Sequence, residues 1–172
     1  MDEAGMTVPA GDDGYIEAAQ AAAATAVGLV AEGDAQGAFD ALMDFFRRPD
    51  VGPGSAELLL TMLFEAAATM ASTLGVFLGT FEPVKIGAVD EDHHPVSIDD
   101  AAPVERTFVR ALLAEIHGDR QGMVSQIRLA FANSDPEQAS SLMMRTLAGT
   151  AALLDACSHY DLPVPDWLVD RD

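Results

Sequence analysis

The stretch Leu29-Val-Ala-Glu-Gly-Asp-Ala-Gln-Gly37 returns later in the chain as Leu112-Leu-Ala-Glu-Ile-His-Gly-Asp-Arg-Gln-Gly122. With Ile116 and His117 taken as an insertion, the identical pairs are Leu29/Leu112, Ala31/Ala114, Glu32/Glu115, Gly33/Gly118, Asp34/Asp119, Gln36/Gln121 and Gly37/Gly122. Gly118 follows Gly33 by 85 residues, close to half of the 172-residue chain. At the same offset Phe46 matches Phe131, Thr61 matches Thr146, and Ala66-Ala67 matches Ala151-Ala152. A repeat of this period constrains the fold more than any local propensity, because it predicts one structural unit used twice.

The repeated stretch has a physical reading. Gly33 and Gly118 can enter the left-handed region that ends a helix, where a Cβ would clash. Asp34 and Asp119 then suit the N-cap of a second helix, where a carboxylate accepts backbone N–H groups and is favoured by the helix dipole. Gly-Asp is therefore a two-residue joint between antiparallel helices. Gly37 and Gly122 fall in the first turn of the following helix, where glycine is expected to let the preceding helix approach closely.

Taken in order, the chain predicts a tail over 1–12, a three-helix half over 13–81, an acidic connector over 82–100, a second three-helix half over 101–161, and a proline- and tryptophan-containing tail over 162–172. In the first half, an alanine-dense helix ends near Glu32. A second runs from Ala35 to about Arg48, with Ala38, Leu42, Met43, Phe45 and Phe46 on an apolar stripe and Asp40 and Asp44 outside it. A third, from Ser55 to about Gly79, is apolar nearly all round. It is long enough to cross a bilayer, but Glu65 lies within it and its flanks are acidic, so a buried central helix is expected. In the connector, Phe81–Val89 and Val96–Ile98 predict either a small hairpin or an ordered loop. The second half follows, with Asp100 as cap, Pro103 in the first turn, and a last helix signalled by Asp135-Pro136-Glu137. The fold class is all-α: a six-helix bundle made of two duplicated halves, with the third and sixth helices as shared core.

The helix–Gly-Asp–helix unit resembles a tetratricopeptide-type hairpin over about 34 residues of each half. Gly33-Asp34, Ala38, Leu42, Phe45 and Pro49 stand where that family places turn, small residue, bulky residues and closing proline. Gly118-Asp119, Met123, Ile127, Ala130 and Pro136 do so in the second half, with methionine replacing the small residue. The resemblance implies helix pairing of that kind; no tandem array follows it.

Charge narrows the partners. Against 28 acidic residues stand 9 lysines and arginines, a net charge of −19. Such a surface repels nucleic-acid phosphates and anionic membranes and favours cationic partners or metal ions. A single cysteine, Cys157, excludes an internal disulfide and fits a reducing compartment. The start, Met1-Asp-Glu-Ala-Gly, lacks the basic and apolar blocks of a signal peptide, so a cytoplasmic location is expected.

Three groups of residues carry candidate chemistry. Glu91, His93 and His94 lie in an acidic run ended by Pro95, and carboxylate plus imidazole can take a divalent ion; no other cofactor is indicated. Asp155 and His159, four apart with Cys157 between, are either ligands or an acid–base pair, or His159 is simply an imidazole favoured by the dipole at a helix C-terminus. Glu65, inside an apolar helix, either pairs with Arg145 on the equivalent helix of the other half, the favoured reading, or faces solvent. No phosphate loop, nucleophile elbow or Cys/His nucleophile arrangement occurs. The sequence thus predicts a non-enzymatic interaction module whose partner is another protein or a second copy of itself. The alternative is a small-molecule or metal ligand held between the halves.

Overall fold

Two left-handed glycines set the course of the chain. In the computed structural model, which describes residues 12–79, 87–133 and 136–169, Gly33 has φ 84° and Gly118 φ 76°. Each ends its helix in the same way. The N–H of Asp34 donates to Leu29 O at 2.8 Å and that of Gly33 to Val30 O at 3.0 Å; Asp119 to Ala114 O and Gly118 to Glu115 O repeat both distances. This is the double bond of a Schellman cap. Asp34 Oδ1 then accepts the Gly37 N–H at 2.8 Å, and Asp119 Oδ1 the Gly122 N–H at 2.8 Å. Gly37 and Gly122 do not serve close helix approach. A Cβ at either would lie 2.7 Å from Cγ of the capping aspartate, so each glycine makes room for its own cap.

Among the described residues there are six α-helices: α1 (Asp12–Ala31), α2 (Ala35–Phe46), α3 (Ser55–Leu78), α4 (Pro103–Ile116), α5 (Arg120–Asn133) and α6 (Pro136–His159). Between α3 and α4 lies a two-strand hairpin, β1 (Ala88–Val89) with β2 (Pro95–Val96), antiparallel with Ala88 opposite Val96. Of the expected strand over 81–89, residues 81–86 lie outside the described residues, as do the 1–11 part of the first tail and Asp135. Pro103 opens α4 as expected, but Asp100 does not cap it. Ala102 precedes the helix, and Asp100 ends a short 3-10 turn, Ile98–Asp100. Arg110 and Arg106 tie that turn to α4 through the Asp99 carboxylate (2.6 Å) and carbonyl (3.1 Å).

The corners correspond without a gap. Leu29 is equivalent to Ala114 and Glu32 to His117, so the three sequence identities that precede the glycines are out of register in space. Two extra residues turn a helix face by about 200°, which would carry the buried face to solvent. The burial pattern instead keeps the constant offset of 85: Ala23, Ala24, Ala26 and Val27 of α1 are buried, as are Phe108, Val109, Ala111 and Leu112 of α4.

The long helices α3 and α6 pack together at the centre. The hairpin of α1 and α2 lies mainly on α6, and α4 wedges between α3 and α6 with α5 against α3. Each helix hairpin thus braces the long helix of the other half. Phe64 of α3 meets Phe108 of α4 with ring centroids 5.8 Å apart. Thr61 and Thr146, matched in sequence, both turn their hydroxyls onto carbonyls one turn back, at 2.8 Å, so neither buries an unpaired polar group. Although α3 has the length and composition of a membrane span, 61% of its most apolar stretch is buried against the other helices. Within 162–169, the 3-10 turn Asp166–Leu168 packs on α1, with Leu168 buried.

Candidate functional site

The ion pairs differ from the expected one. Arg145 turns to α4, where Nε and Nη2 reach Glu105 at 2.6 and 3.0 Å and the guanidinium carbon sits 3.9 Å from the Phe108 ring centroid. Gly149, one turn on, leaves space for that ring: a Cβ there would come within 2.6 Å of Phe108 Cζ. Glu65 faces the α4–α5 corner instead and pairs with Arg120 of α5. The expected Glu65–Arg145 pair does not form because the two side chains leave α3 and α6 in different directions. Glu65 does bridge the halves, with another arginine. A second bridge joins Arg128 of α5 to Glu57 of α3 at 2.8 Å.

These two bridges latch α5 to α3. At the offset of 85, Arg120 and Arg128 correspond to Ala35 and Met43 of α2; Glu57 and Glu65 correspond to Leu142 and Thr150 of α6. Among the described residues, the equivalent positions on the α2–α6 side therefore carry no ion-pair latch. An apolar groove of about 110 Å³ lies there, lined by Phe39, Leu42, Met43, Phe46, Phe131 and Met143 together with Ala56, Ala139 and Ser140. Ser140 spends its hydroxyl on Pro136 O at 2.9 Å. The groove exists because the apolar arc of α2 is wider than its core contact. Ala38, Leu42 and Phe45 are buried. Phe39, Met43 and Phe46 extend the arc by i, i+4 and i+7, and Phe39 and Phe131 are each 36% exposed.

A second concavity crosses the exposed face of α3, between the halves. Its lobes, about 380 and 580 Å³, share Glu65, Thr69 and Thr73. One is walled by Gln20, Pro163, Pro165 and Trp167, the other by Ser72, Glu115 and Arg120. Two carboxylate oxygens of residues lining this latter lobe, Oε1 of Glu65 and Oε2 of Glu115, are buried without a hydrogen bond among the described residues.

At the hairpin tip the metal-ligand expectation changes membership. Ligand atoms of Asp90, Asp92 and His94 lie within 4.8 Å of one another; Glu91 and His93 are not of that set. Residues 90–94 form the turn of the hairpin, and His93 adopts φ 64° to close it. Asp90 Oδ1 accepts the N–H groups of Asp92 and His94, each at 2.9 Å, and all three side chains are exposed. Asp155 and His159 are exposed on α6, and among the described residues no hydrogen bond or ion pair joins them. Cys157 between them is fully buried, donates toward Met70 O at 3.7 Å, and has its thiol pKa pushed up by burial, away from nucleophile chemistry.

No family model matches the chain, and no curated protein or solved structure is significantly similar to it. The tetratricopeptide-like resemblance therefore describes the two corners and goes no further.

The missed feature is the groove. Its signal was in the sequence: on α2, Phe39, Met43 and Phe46 add to an apolar face that Ala38, Leu42 and Phe45 already complete.

Proposed function

We propose that the chain is a non-enzymatic protein-interaction module, built by internal duplication, which binds a partner in the groove between α2 and the α5–α6 pair. One observation carries this reading. The α5–α3 contact is closed by Arg120–Glu65 and Arg128–Glu57, while the α2–α6 side, at the positions 85 residues away, is open and apolar. Phe39 and Phe131, each 36% exposed, leave apolar ring surface at the groove that a bound partner would cover. A reducing, cytoplasmic setting fits the free buried thiol of Cys157. The test is capture from the host cell with wild type and with Phe39→Asp side by side. A protein retained by wild type and lost from the variant supports the reading. Identical capture by both overturns it.

A second reading has its own observation. Glu65 and Glu115 both line the cleft over α3 beside one arginine, Arg120, and this excess of carboxylate favours a cationic small molecule there. A saturable thermal shift with amines, lost in Glu115→Gln, is its test. Divalent metal at Asp90, Asp92 and His94 would show in the same assay as a shift lost in His94→Ala.

A further inference from the structure

Resting on the groove reading above, we infer that the occupant is a basic amphipathic helix that seats one large apolar side chain between Phe39, Met43, Phe131 and Met143. Size sets the anchor. A cavity of about 150 Å³ takes a benzene molecule, so a groove of about 110 Å³ suits one aliphatic side chain, with Phe39 and Phe131 as flanking surface. The mixture of phenylalanine and methionine suits a helix, since methionine conforms to the irregular profile of an amphipathic partner.

Charge selects which helix. Every described arginine is already engaged: Arg47 with Asp44, Arg48 with Asp50, Arg110 with Asp99, Arg120 with Glu65, Arg128 with Glu57, Arg145 with Glu105, and Arg106 with the Asp99 carbonyl. With 28 acidic residues against 9 lysines and arginines, most acids have no base to pair with. On α2 itself, Asp40 and Asp44 stand at i, i+4 and are exposed, on the flank of the helix away from its buried face. The Asp44–Arg47 pair is exposed (79% and 70%) and readily exchanged for an incoming cation. A second copy of this chain would bring another −19 to the same flank, so self-association is opposed by the charge that draws a basic helix in.

The experiment titrates the intact protein with three labelled synthetic helices of roughly 18 residues, five turns. The first is leucine/lysine with one apolar face, the second has glutamate in place of lysine, and the third has the lysine composition with its apolar order scrambled. Saturable binding of the first is expected, weakened tenfold or more by Phe39→Asp. It should weaken about three- to tenfold with Asp40→Asn/Asp44→Asn, two exposed charges that leave the groove intact. Should Phe39→Asp fail to fold, the charge variant and the scrambled helix still decide. Equal binding of the scrambled helix overturns the groove itself. Equal binding of the glutamate helix overturns the basic partner and leaves the groove reading standing. A wild-type dimer in light scattering that Phe39→Asp dissociates makes a second copy the occupant and overturns the inference.

Discussion

Removing Arg145 tests how the two hairpins are braced. The Glu105 side chain is 13% exposed and that of Arg145 33%. The Arg145→Ala variant loses two charge-assisted hydrogen bonds, a stack on Phe108, and the neutralisation of a mostly buried carboxylate. Hydrogen bonds to charged groups contribute about 1.5–3 kcal/mol each and a partly buried cation–π contact about 1 kcal/mol. The one-third exposure of the guanidinium discounts the sum through solvent screening. About 2–3 kcal/mol remains, or roughly 5–10 °C in Tm for a chain of this length. Urea and thermal unfolding followed by helical circular dichroism read it. The cycle with Glu105→Gln should give a coupling of about 1–2 kcal/mol, whereas the cycle of Arg145→Ala with Glu65→Gln should give none. A loss under about 0.5 kcal/mol for Arg145→Ala, or coupling to Glu65 in place of Glu105, refutes the reasoning.

Two further outcomes follow from other parts of the structure. Substituting alanine at Gly37 or Gly122 displaces the capping aspartate; each should cost about 1 kcal/mol, and the two losses should agree within about 0.5 kcal/mol. Unequal losses would deny the equivalence of the corners. Cys157 should resist thiol reagents in the folded protein and react on unfolding. Because burial raises its pKa, its contribution to stability is present below the pKa of a free thiol and is lost as pH rises past that value. Rapid labelling of the native protein would show that α6 opens there.

Local grammar was legible and partner choice was not. The corners at Gly33-Asp34 and Gly118-Asp119 depend on a few adjacent residues, as does the proline start of α4, so sequence alone located them. The match before each glycine misled, because leucine, alanine and glutamate recur in helices and identity there carries no register; only burial on α1 and α4 shows the gapless offset. Periodicity gave α2 its stripe, yet which part of it meets α1 and which is left over depends on how wide the neighbouring hairpin is. The mate of Glu65 had the same difficulty. Helix α3 is apolar nearly all round, so its amphipathic pattern does not say which neighbour Glu65 faces. At residues 90–94, carboxylate and imidazole chemistry alone selected Glu91, His93 and His94, whereas the hairpin brings ligand atoms of Asp90, Asp92 and His94 within 4.8 Å of one another.

Site-specific photo-crosslinking in the host cell tests the central claim, that the unlatched α2–α6 groove is where a partner binds. A photoreactive phenylalanine analogue would replace Phe39 in the groove, and in a second protein Ile16, which is 40% exposed on α1. A discrete crosslinked protein is expected from position 39, attached through a basic helical segment, and none of it from position 16. The same product from both positions, or none from position 39, would contradict it.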